Sequence, residues 1–123
     1  MLEIQSDKKV NDYITKFWIQ RSHHSNISTI ICVQNLFLKN SRNISLNSTY
    51  LQIFKNPRDR TSINILNRQS WPNKPKYLSS ALDEATSIPF GFLFIDFHPL
   101  TDDSLRVRNF AFQKQDMKIF APE

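Results

Sequence analysis

A chain of 123 residues that is 40% hydrophobic and carries ten phenylalanines is one globular domain or part of one, which excludes a disordered tract. One cysteine, Cys32, excludes an internal disulfide framework and a cysteine-rich zinc centre, and one glycine, Gly91, excludes both a Walker A loop, GxxxxGK(S/T), and a GxGxxG turn. The net charge of +5 hides an asymmetry: from Tyr13 to Lys76 ten Lys and Arg face one acid, Asp59, whereas from Tyr77 onward seven acids outnumber four bases.

The basic half favours a polyanionic partner such as nucleic acid or a nucleotide phosphate, because its cations fall largely in expected loops and helix ends. The plain alternative is a solvated surface. No run approaches the length of a membrane span, and "MLEIQSDKKV" lacks an apolar leader, so the expectation is an intracellular protein without a membrane partner.

Asp7 can cap a first helix reaching to about Ser22, with Val10, Ile14, Phe17, Trp18 and Arg21 on one stripe. "NISTIICVQ" then predicts a strand, apolar on both faces from Ile30 to Val33, as a central parallel strand would be. It stops at two amides, Gln34 and Asn35. The carboxyl end of such a strand is where open α/β sheets build ligand sites, and amides orient a water or a phosphate oxygen without adding charge. They can equally cap the strand and satisfy backbone groups in the turn. His23 and His24 follow the end of the first helix, where imidazolium is favoured by the dipole. Their spacing fits neither HxH nor HExxH, so they suggest a cap or a phosphate contact and no metal site.

"KNSRNISLNS" is expected as a polar loop presenting Arg42. "LNSTYLQIFK" predicts a strand from about Thr49 to Phe54, ended by "NPRD", in which Pro57 forbids continuation and Asp59 can cap the next helix. Residues 59–69 place Ile63 and Leu66 on one helical face, "WPNKP" is a loop, and "KYLSSALDEATS" is a helix stopped before Pro89. "FGFLFIDFH" is a third strand, ending at Asp96 and His98. "LRVRNFAF" can form an edge strand, and residues 111–123 read as a weakly ordered tail. This order predicts an α/β fold with a mostly parallel sheet.

In order and spacing, "RSHHSNISTIICVQNLF", "RNISLNSTYLQIFKNPRD", "LNRQ", "ALDEATSIPFGFLFIDFHP" and "LRVR" resemble the C-terminal half of viral genome-packaging ATPases of the FtsK–HerA superfamily. The type is that of Polinton/Maverick transposons and adintovirus-like elements, distant relatives of the poxvirus packaging ATPase. The resemblance runs from about Lys8 to Arg108. It implies that residues 1–110 are the C-terminal portion of a three-layer, RecA-like P-loop NTPase fold lacking its P-loop half.

In such a family the full-length protein binds ATP and Mg²⁺ and drives double-stranded DNA into capsids as a homo-oligomeric ring. The phosphate-binding loop and the Mg²⁺-holding acids have no counterpart among these residues, so this chain alone is expected to bind neither and not to be catalytic. The resemblance implies a polar sensor at Gln34, with Asn35 beside it. It implies an arginine finger at Arg42, with Arg21 as an alternative for that role and a candidate DNA contact. Lys55 and Arg58 would face DNA phosphates. The implied setting is the nucleus or cytoplasm of a host cell, or the virion. The alternative is a non-enzymatic basic module that binds nucleic acid through "KNPRDR" and its neighbours.

Overall fold

A computed structural model describes residues 12–13, 16–17, 26–34, 42–109 and 118–122, with the backbone alone at 42–44. The chain divides into two compact units, 1–48 and 49–123.

In the first unit, Asp12, Tyr13 and Lys16 are helical, as the expected first helix requires; most of that helix lies outside the described residues. The strand expected over Ile30–Val33 is not formed. Residues 27–33 belong to no helix or strand, Ile30 is 92% exposed, and Cys32 is exposed as well. A β-branched run makes a central strand only when neighbouring strands take its N–H and C=O groups, and none of the described strands pairs with it. The expected polar loop around Arg42 is instead a short helix, α1 (Arg42–Asn47).

The second unit is built on β1 (Tyr50–Phe54), α2 (Thr61–Ser70), α3 (Tyr77–Ala85), β2 (Phe92–Asp96) and β3 (Val107–Arg108). The sheet order is β1-β2-β3. Both pairings are antiparallel, Tyr50↔Asp96 to Phe54↔Phe92 in one and Phe94↔Arg108 with Ile95↔Val107 in the other. The mostly parallel, RecA-like sheet expected from the sequence is therefore corrected to an antiparallel one.

Two features explain the correction. A crossover through one helix returns the chain to the start of the first strand and makes the next strand parallel. Here two helices pack against each other as a hairpin, so α3 brings the chain back to the end where β1 finished, and β2 runs in reverse. The apolar run of β2, which suggested a parallel strand, is explained by different covers on its two faces. Leu93 and Ile95 are fully buried on the side of α3. On the other face Tyr50 stacks on Phe94 with centroids 5.7 Å apart, Phe54 meets Phe92 at 6.0 Å, and the Arg108 guanidinium lies 5.2 Å over the Phe94 ring.

The hairpin is fixed by a buried amide. Asn67 Oδ1 accepts from Leu78 N at 2.8 Å, while Nδ2 donates to the carbonyls of Lys74 at 2.9 Å and Trp71 at 3.3 Å. One side chain thus ends α2, shapes the "WPNKP" loop and satisfies an N–H in the first turn of α3. Residues 118–122 add to the outer side of β3: Phe120 N donates to Val107 O at 2.9 Å, and Asn109 N donates to Lys118 O at 3.1 Å. Tyr77 Oη donates to Phe120 O, and burial pushes its phenol up to about 12.

Replacing Asn67 by Ala strands the buried Leu78 N–H and removes one donor each from the carbonyls of Trp71 and Lys74, which keep Lys74 N and Tyr77 N as donors. Urea unfolding of Asn67→Ala should show a loss of about 1–3 kcal/mol; a loss below ~0.5 kcal/mol would mean that water substitutes freely for the amide.

Candidate nucleic-acid interface

The antiparallel register separates two polar regions, one at each end of the β1–β2 ladder. At the Phe54/Phe92 end the chain leaves β1 as Lys55-Asn56-Pro57-Arg58-Asp59-Arg60. Asn56 shapes this turn, its Oδ1 accepting from Arg58 N at 3.0 Å and its carbonyl accepting from Asp59 N at 3.2 Å.

Asp59, the one acid of the basic half, is turned toward α2. Its Oδ1 accepts from Thr61 N at 3.2 Å and Ser62 N at 3.1 Å, and its Oδ2 accepts from the Ser62 hydroxyl. The Ser62 hydroxyl is the main reason that its carboxyl lies below the usual carboxylate range. Its charge is thus used on the orphan amides of a helix start. Arg60 pairs with Asp83 at 3.2 Å across two exposed side chains, a contact worth under about 1 kcal/mol. Lys55 and Arg58 remain exposed, and among the described residues neither has an acidic partner. The turn therefore presents two cations with its single anion withdrawn.

The Tyr50/Asp96 end is a closed network. Asp96 is buried, and its Oδ1 accepts from His98 N at 2.9 Å. Oδ2 takes the Thr101 hydroxyl at 3.0 Å and Arg108 Nη2 at 3.1 Å. Arg106 Nη1 donates to the carbonyls of Asp96 and His98 at 3.0 and 2.9 Å, while Nε pairs with Asp103 at 2.7 Å. Each carboxylate oxygen of Asp96 accepts at least one hydrogen bond, so this network positions the chain after β2, while Arg108 Nε is buried within it without a hydrogen-bond partner. Beside it an open groove of about 570 Å³ has Trp71 and Phe97 among its walls, with Lys74 and Arg106 as its cations. No group of three His, Cys, Asp or Glu side chains is arranged to hold a metal among the described residues.

The residues singled out from the sequence are dispersed. Lys55 and Arg58 share the exposed turn after β1. Gln34 is exposed in a bend and, with no strand over 27–33, does not crown a strand end. Arg42 opens α1, with only its backbone described. Arg21, His23, His24 and Asn35 lie outside the described residues. The Asp96–Arg108 pair is not among the residues that the sequence singles out, although "LRVR" reads as strand-forming. An arginine amid apolar strand residues, twelve positions after a strand-terminal aspartate, was the available signal. Comparison of the chain with protein-family models, curated proteins and solved structures returned no match.

Removing one member of a buried pair leaves the other charge uncompensated. Asp96→Ala should therefore lower stability by roughly 3 kcal/mol, whereas Asp83→Ala, at an exposed pair, should change it by less than about 0.5 kcal/mol. Equal losses in the two variants, measured by thermal melts, would refute the assignment of Asp96 as the structural anchor of this end.

Proposed function

We propose that the chain is part of a DNA-packaging motor of the FtsK–HerA type, and that residues 49–123 contribute a contact to the phosphates of double-stranded DNA. The observation that carries the reading is the turn after β1, where Lys55 and Arg58 project into solvent while Asp59 is spent on capping α2. A turn that withdraws its only anion and exposes its cations suits a polyanion. The resemblance of the ordered blocks from Lys8 to Arg108 supports the motor on sequence alone, since the antiparallel sheet and the absence of a strand over 27–33 depart from the fold that it implies. ATP and Mg²⁺ would be held by segments other than these residues, since one glycine cannot supply a phosphate-binding loop. Ring assembly with further copies, and a residence in the nucleus, cytoplasm or virion, belong to the same proposal.

A second reading is a free-standing, non-enzymatic nucleic-acid-binding α/β module. It is favoured by the way unit 49–123 closes on a core of its own, with Leu78, Leu93, Ile95 and Val107 fully buried around an antiparallel sheet. The DNA encoding the region upstream of Met1 separates the two. A continuous frame encoding GxxxxGK(S/T) and a strand ending in Asp-Asp supports the motor; its absence leaves the module.

Both readings require binding to duplex DNA without sequence preference. Fluorescence anisotropy with a short duplex should show affinity that falls steeply with salt. Exchanging Lys55 and Arg58 for Gln together should reduce the slope of log K against log salt by about 2. An unchanged slope, or no binding at low salt, would refute this contact.

A further inference from the structure

The segment joining α3 to β2, which includes Ile88-Pro89-Phe90-Gly91, contains the most exposed large hydrophobic residue of the described residues. Phe90 is 98% exposed, and its backbone lies in the left-handed region at φ 60°. Both facts run against a purely structural residue. A left-handed conformation costs a bulky L-residue about 1 kcal/mol, and an aromatic ring in water returns none of it by burial.

The conformation is held by its surroundings. Gly91 N donates to Ile88 O at 3.1 Å, and a Cβ at position 91 would come within 2.2 Å of the Ala85 carbonyl oxygen. Gly91 thus lets the chain pass against the end of α3, and Phe90 is projected outward. Ile88, 55% exposed, and Phe54, 56% exposed, are further exposed apolar residues of this region.

The position of this projection follows from the register. Phe54 pairs with Phe92, so the residues just before β2 and just after β1 lie at the same end of the sheet. Phe90 is thereby placed at the end that carries Lys55 and Arg58. The acids of the adjoining helices are engaged: Asp59 caps α2, Asp83 pairs with Arg60, and Glu84 pairs with Lys118. An aromatic ring held out at a strained position, at the sheet end that carries two cations without acidic partners among the described residues, matches the chemistry of nucleobase stacking with phosphate contacts nearby.

We propose that Phe90 stacks on a nucleobase of the nucleic acid whose phosphates Lys55 and Arg58 hold. The inference rests on the proposed DNA contact and adds a second mode of recognition, one that is insensitive to salt and needs an unstacked or unpaired base.

The test uses the full chain with oligonucleotides carrying 2-aminopurine, as single strand and as duplex. Phe90→Ala removes a ring that touches solvent, so the fold should persist, which a thermal melt checks. It should weaken binding about tenfold and abolish the 2-aminopurine fluorescence change, with the salt slope unaltered. Phe90→Trp should restore both. A response with the single strand alone assigns stacking on bases already unpaired; a response with both assigns insertion into the duplex. If Phe90→Ala binds like the parent and keeps the fluorescence change while the Lys55/Arg58 double variant loses salt slope, the stacking inference is overturned and the DNA contact stands. If neither substitution changes binding, both are overturned.

Discussion

The amide of Asn67 is the contact on which the geometry of unit 49–123 depends. Its three hydrogen bonds tie the end of α2 to the loop and to the first turn of α3. An apolar residue at position 67 would leave the Leu78 N–H buried without a partner and take one donor from each of the carbonyls of Trp71 and Lys74, which would loosen the hairpin. Because α2 and α3 are held as a pair, the chain returns to the end of β1 before β2 begins, and the sheet becomes antiparallel. The same register brings Lys55, Arg58 and the Phe90 turn to one end of the sheet and gathers Asp96, Arg106 and Arg108 toward the other.

Those two ends use charge differently. Around Asp96 the carboxylate accepts from His98 N, Thr101 and Arg108 within a largely buried cluster in which a lone charge would be costly, although Arg108 Nε is buried there without a hydrogen-bond partner. After β1 the acid caps a helix and the cations are left to solvent. The contrast is the ground for the proposal that the exposed cations meet an external partner, whereas the arginines after β2 are held within the fold.

Much of this architecture was legible in the sequence where local chemistry decides. Pro57 and Asp59 marked the end of β1 and the start of α2, Ile63 and Leu66 marked a buried helical stripe, and "FLFID" marked β2. Strand direction was not legible from the apolar run of β2, because burial on both faces results equally from helices on each side or from a helix on one side and stacked aromatics on the other. The two consecutive helices did carry that information. The segment Ile30–Val33 shows the limit of propensity: its β-branched residues suit a strand, but pairing is supplied by neighbours and not by the segment itself.

At the candidate interface, Lys55 and Arg58 could be named from composition and position. Phe90 could not, since a phenylalanine between Pro89 and Gly91 reads as core as readily as surface. Only the left-handed backbone and the closeness of the Ala85 carbonyl to position 91 show that the ring has no way inward.

The helical hairpin between β1 and β2 also bears on the order in which the chain acquires its structure. Phe54 and Phe92 are distant in sequence, and bringing them together from a random coil carries the loop-closure entropy of the whole intervening segment. The contacts of Asn67 reach only to Trp71, Lys74 and Leu78, so they close small loops. Once formed, the hairpin replaces a flexible tether with a compact spacer whose ends are already near one another. The β1–β2 ladder can then close as a local event, and a topology that is non-local by sequence becomes accessible to a fast folding route.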